Sequence, residues 1–212
     1  MISGVNAVAD ERQLRISAGA ITDAWRRRAR DLLAAVSRGE MPYRVMDDLH
    51  RDALDELAGQ FSLDGLDPPD RERLVQSWHR LPAWPDAAGG LNRLRERHVV
   101  STLSNGGMAH QVDVIRHARL PFDCILSTEL VQSYKPDPRT YQLVPSLLRV
   151  RPEQAMMVAS HPYDLAAAAG QGFRTGFVRR PMEWGNGKPE EPDFRVDIVA
   201  DDFGDLASKL GA

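Results

Sequence analysis

Two textures of apolar and polar positions divide the chain. Up to about residue 82, apolar residues recur three, four and seven apart: Ile21, Trp25, Leu32, Leu33 and Val36 in one run, Val45, Leu49, Ala53 and Leu57 in another. That spacing gathers each set on one face of a helix. Pro42 marks a break between the runs, since proline has no N–H to give to a helix. Asp67-Pro68-Pro69-Asp70 has the composition of a helix start, and Leu74 and Trp78 carry a third helix to about Leu81-Pro82. This part shows no strand pattern and no internal repeat.

From Pro85 onward, short apolar runs alternate with helical stretches, the pattern of a parallel sheet covered by helices. The predicted strands are Val99–Leu103, Cys124–Ser127, Ala155–Ala159, Thr175–Val178 and Asp197–Ala200. The predicted helices are 86–96, 108–117, 138–149, 163–170 and 203–209. The expected fold is therefore α/β, with a helical subdomain over residues 1–82 and an α/β domain over 83–212.

Composition narrows the function classes. The chain has 212 residues, enough for one good core with a small satellite. Its 27 basic residues nearly balance 30 acidic ones, which gives no reason to expect a nucleic-acid partner. No apolar run reaches the ~18 residues needed to span a membrane, and the first ten residues lack the pattern of a signal peptide. The single cysteine, Cys124, excludes an internal disulfide and fits a cytoplasmic setting. Its apolar context, Phe-Asp-Cys-Ile-Leu, argues against a catalytic thiol.

Candidate chemistry sits at three strand ends. The strand at Val99 stops at Ser104-Asn105-Gly106-Gly107, ahead of a helix. The next is followed by Ser133-Tyr134-Lys135-Pro136-Asp137-Pro138, where two prolines stiffen the loop around Lys135. The third runs into Ser160-His161-Pro162-Tyr163-Asp164. Taken singly, each has an ordinary alternative: a strand-to-helix turn, a solvated lysine, a loop histidine, and Asp164 as a helix N-cap. Taken together, parallel strands place their carboxyl ends on one edge, so Ser104, Asn105, Lys135, Ser160, His161 and Asp164 are expected to converge. A hydroxyl, an amide and an ammonium suit an anionic substrate, and a nearby carboxylate can position water.

Leu-Ser-Asn-Gly, then Tyr-Lys-Pro-Asp, then Val-Ala-Ser-His-Pro-Tyr-Asp, in that order, resembles the haloacid dehalogenase (HAD) superfamily, and within it the type II 2-haloacid dehalogenases. Arg-Pro-Met-Glu-Trp-Gly at 180–185 is similar to a late segment of many members. The resemblance implies a Rossmann-like parallel sheet with a helical cap over residues 1–82. It implies a carboxylate nucleophile that displaces halide from a 2-haloacid, an ester on the enzyme, and its hydrolysis to a 2-hydroxy acid of inverted configuration. By position, Ser104 and Asn105 match the residues that bind substrate carboxylate and help receive halide. Lys135 matches the motif lysine that stabilises nucleophile and intermediate. Ser160 and Asp164 match residues near the nucleophile and its water. Arg26, beside Trp25, is the candidate cap arginine for halide or substrate; a solvated basic helix face with Arg27, Arg28 and Arg30 is the alternative. Relatives are often homodimers, so a homodimer is a further expectation.

Two departures from the family pattern matter. Its phosphatase branch holds Mg²⁺ partly through two acids four apart, where this chain has Ser160 and Asp164. That favours metal-free dehalogenation without a cofactor, with Mg²⁺ expected only for a small-molecule phosphatase. His161 stands where some members carry an amide. Second, the family's nucleophilic aspartate lies at the end of a first strand, in Asp-x-x-Gly-Thr, and no such motif occurs here. Asp10 follows no β-run. The chain is therefore expected to begin inside the cap, to lack the central strand of the sheet, and to be catalytically dead and poorly stable as written. A non-catalytic anion-binding relic is the alternative from a different functional class.

Overall fold

The computed structural model describes residues 1–14, 16–63, 65–183 and 190–212. In chain order the helices begin with α1 (Ile2–Glu11), α2 (Ala18–Ser37), α3 (Met46–Leu57), α4 (Pro68–Gln76) and α5 (Ala87–Arg95). They continue as α6 (Met108–Ala118), α7 (Pro138–Tyr141), α8 (Leu143–Leu148), α9 (Pro162–Gly170) and α10 (Phe203–Lys209). The strands are β1 (Met156–Ala159), β2 (Arg174–Val178) and β3 (Ile198–Ala200). Contacts gather these elements into two compact units: Met1–Pro82 with Asn105–Ala118, and Ala83–Ser104 with Arg119–Ala212.

The first unit is helical, as its periodicity predicts. The Ser17 hydroxyl caps α2 by accepting the Ala20 N–H at 3.4 Å, and Asp67 caps α4 by accepting the Asp70 N–H at 2.9 Å. The helix predicted from Asp67 to Leu81 holds α geometry only to Gln76, then tightens into a 3-10 turn over Ser77–Arg80. Trp25 is fully buried. Its indole N–H donates to the His50 carbonyl at 2.7 Å, and its ring meets Trp78 edge-on at 5.5 Å. α6 joins this unit through His79, whose Nδ1 lies 2.8 Å from Asp113 of α6 and whose Nε2 lies 3.2 Å from Asp47 of α3.

The second unit is built on a parallel sheet in the order β1-β2-β3. Successive residues of β2 bury on opposite faces. Phe177 packs with Tyr141, Met157, Leu165 and Ala168, while Val178 packs with Leu91, Leu94, Ala200 and Leu206. α5 lies so close to α10 that a Cβ on Gly90 would run into the Cβ and backbone of Phe203.

Two predicted strands depart from expectation. Val99–Leu103 and Cys124–Ser127 meet only as isolated parallel bridges, Ser101 to Cys124 and Ser104 to Ser127, outside the three-stranded sheet. Side chains take bonds that a regular ladder would use. The Thr102 hydroxyl accepts the Leu126 N–H at 3.0 Å, and the Asp123 carboxylate accepts the Val100 N–H at 2.9 Å. The helix predicted over 138–149 splits at Gln142 into α7 and α8. Pro145, with no N–H, cannot bond back to the Tyr141 carbonyl.

Candidate functional site

At the end of β1 the chain leaves the sheet as Ser160-His161 and enters α9 at Pro162, whose fixed φ suits a first helical position. The cap position is His161, and no side chain caps this helix. Asp164 is therefore not the N-cap that one reading of the sequence allows. It stands in the first turn, and its carboxylate turns into the protein, 6% exposed as a residue.

Two donors meet that carboxylate. Lys135 Nζ donates to Oδ2 at 2.8 Å, and the Tyr141 hydroxyl donates to Oδ1 at 2.7 Å. Burial, followed by the Asp164 charge, holds the Tyr141 phenol far above its ordinary range, so it stays a donor. A buried ion pair needs such extra hydrogen bonds to offset desolvation.

The loop before α7 explains why Lys135 is buried rather than solvated, the alternative for a lone lysine. Asp137 accepts the Ser133 hydroxyl at 2.8 Å and the Arg139 N–H at 2.8 Å. Its own N–H donates to the Tyr134 carbonyl at 3.0 Å, and Tyr134 is fully buried. The Arg139 guanidinium, the main cause, pulls the Asp137 carboxyl down to about 2. The loop is thus braced on both sides of Lys135.

Ser160 and His161 form a second group with Glu183. One Glu183 oxygen accepts the Ser160 hydroxyl at 3.1 Å, and the other lies 2.9 Å from His161 Nε2. That hydrogen bond raises the His161 titration above its ordinary value, against the opposing effect of burial. Ser104 ends the bridged segment, its N–H donating to the Leu126 carbonyl at 3.2 Å and its carbonyl accepting the Thr128 N–H at 2.9 Å. Ser104, Lys135, Ser160, His161 and Asp164 all belong to the second unit, whereas half-buried Asn105 and Arg26 belong to the first.

Among the described residues, no three His, Cys, Asp or Glu side chains are placed to hold a metal ion. Both Asp164 oxygens are engaged and Ser160 stands four positions before it, a donor set that does not fit Mg²⁺. Sequence reasoning missed Tyr141 and Glu183. Tyr141 lay six residues beyond Lys135 inside the helix predicted over 138–149, and Glu183 lay in the quoted segment 180–185 without a role. Trp184 and Gly185 of that segment lie outside the described residues.

The haloacid dehalogenase-like hydrolase family profile matches residues 3–172. The chain belongs to that family. Among curated relatives of this haloacid dehalogenase-like chain, (S)-2-haloacid dehalogenase 1 of Pseudomonas sp. (strain CBS-3) is 34% identical over 150 residues, 69% of this chain. The chain spans 63% of that relative's length. A solved defluorinating L-2-haloacid dehalogenase superposes with TM-score 0.95 at 32% identity, covering all of this chain and 88% of that one. The L-2-haloacid dehalogenase of Xanthobacter autotrophicus with chloropropionic acid covalently bound superposes with TM-score 0.82 at 26% identity, covering 98% of this chain and 93% of that one.

Proposed function

We propose that this chain serves the hydrolytic dehalogenation of short 2-haloacids through an aspartyl ester. The observation that carries the proposal is the buried Lys135–Asp164 pair, fastened by Tyr141, at the carboxyl edge of the sheet. Relatives named as (S)-2-haloacid dehalogenases give the substrate class. In the first step a carboxylate oxygen bonds to the substrate α-carbon and the halide leaves with the bonding electron pair. In the second, water adds to the ester carbonyl and loses a proton, releasing the 2-hydroxy acid and the free carboxylate.

Lys135 supplies positive charge for nucleophile and intermediate, and Asp164 orients Lys135 and the hydrolytic water with Ser160. Ser104 takes the substrate carboxylate, as the family resemblance implies. No metal has a part in these steps. Asp10 is exposed on α1 and is not proposed as the nucleophile. The 212 residues by themselves are therefore proposed to bind the haloacid without turning it over. A cytoplasmic location and a homodimer belong to the same proposal; among the described residues no helix is long and apolar enough to cross a membrane.

Chloride release from 2-chloropropionate, paired with calorimetric binding of the same acid, tests this. Binding without chloride is expected of the 212-residue chain. Chloride release by that chain would show that it holds its own nucleophile, and Mg²⁺-dependent phosphate release would replace the proposal with a phosphatase.

A further inference from the structure

We propose that His110 is an acid-sensitive catch that fastens α6 to the helical unit: α6 is held while the imidazole is neutral and released once the ring gains a second proton. The catch lies within the first unit and is independent of the 2-haloacid reading.

The joint it governs is made largely of polar groups. Residues 105–118 pack with residues 1–82, while the chain on either side of them belongs to the second unit. Gln111 is the one fully buried residue of α6, and its side chain donates to the Gly106 carbonyl at 2.9 Å, within its own segment. The ties to the 3-10 turn Ser77–Arg80 come from histidines. His110 Nε2 lies 3.2 Å from the Trp78 carbonyl, and Asp113 lies 2.8 Å from His79 Nδ1. The two imidazoles meet edge-on, with centroids 4.9 Å apart.

These contacts fix the proton count of His110. A carbonyl only accepts, so Nε2 carries the ring proton and donates to Trp78. Nδ1 is buried and has no hydrogen-bond partner among the described residues. A second proton there creates a buried N–H without an acceptor, and a cation against the His79 ring. Burial, then the His79 charge, lowers the His110 titration, against the opposing effects of Asp47 on α3, the Trp78 carbonyl and Asp113 on α6 itself. His50 of α3 also feels the His110 charge, and burial keeps it neutral; Glu72 of α4 feels the charge of His79. Outside the joint the ring accepts its second proton near the ordinary 6.5. Fastening of α6 is therefore complete above about pH 6.5 and is lost as pH falls toward the lowered titration of the held ring.

Hydrogen exchange of the α6 amides in the 212-residue chain, from about pH 8 down to about pH 4.5, tests the catch. The His110 ring is followed by NMR, and the α2 amides report opening of the whole helical unit, including any effect of His50. α6 protection relative to α2 is expected to hold above about pH 6.5 and to fall below it by up to about tenfold per pH unit, the slope for one proton. The fall levels off at the His110 titration seen by NMR. His110→Asn keeps an amide donor for the Trp78 carbonyl and has no proton to gain, so the fall vanishes while protection at neutral pH remains. Relative protection that is flat in the wild type, or a loss that strikes α2 and α6 alike, overturns the inference. A fall that survives in His110→Asn does the same, and the wild-type curve decides by itself where that variant does not fold.

Discussion

The Lys135 ammonium and the Asp164 carboxylate meet at 2.8 Å across 29 positions of sequence, each side chain 8% exposed. Removing one partner leaves the other charged and buried. Lys135→Ala is expected to cost ~3–5 kcal/mol, read as a lower midpoint in urea unfolding. Lys135→Met combined with Asp164→Leu is expected to recover much of that loss, because neither charge is then stranded. A double variant no more stable than Lys135→Ala would contradict this account.

Tyr141 makes the other bond to Asp164. Tyr141→Phe keeps the ring in its pocket beside Phe173 and removes only the hydroxyl. The expected loss is ~1.5–3 kcal/mol, the range for a hydrogen bond to a charged group, and denaturant unfolding measures it. A change near zero would mean that the carboxylate is satisfied without the phenol.

His50 provides a pH test of the helical unit. It lies stacked on Trp78 at 4.4 Å, and burial, then the His110 and His79 charges, push its titration from 6.5 to about 3. The folded form therefore resists protonation that the unfolded chain accepts. Stability from this residue is complete above about pH 6.5 and is lost as pH falls toward 3. Unfolding free energy measured down this range should decline, and His50→Phe should make the decline shallower. An equal slope in both proteins would remove His50 as its cause.

The neighbouring glycines of α5 should respond with opposite signs. Gly89→Ala enters open space and should stabilise the helix by ~0.5–1 kcal/mol. Gly90→Ala drives a methyl into Phe203 and should destabilise by ~1–3 kcal/mol. Thermal unfolding of the two variants side by side reads the contrast, and a stabilised Gly90→Ala would mean that α10 yields freely.

Much of this was legible in the chain. The helical spacing of Ile21, Trp25, Leu32 and Val36 specified a buried face, because amphipathic period is a local property. Ser-Asn-Gly, Lys-Pro-Asp and Ser-His-Pro-Tyr-Asp marked strand ends for a similar reason: prolines, glycines and small polar residues punctuate the chain wherever a strand turns into a helix. The stretches 99–103 and 124–127, expected as strands, pair in parallel only through isolated bridges. Their failure to form a regular ladder lay in side chains, Thr102 and Asp123, that captured backbone N–H groups.

Local pattern determined which residues are helical, which are extended, and which polar groups stand at strand ends, since these depend on neighbours in sequence. Only the tertiary structure decided partners. That Asp164 turns inward to Lys135 and Tyr141 rather than capping α9, and that Glu183 reaches back 23 positions to Ser160, depend on long-range packing. No local periodicity encodes such a contact, because its free energy comes from burying groups that the sequence keeps far apart.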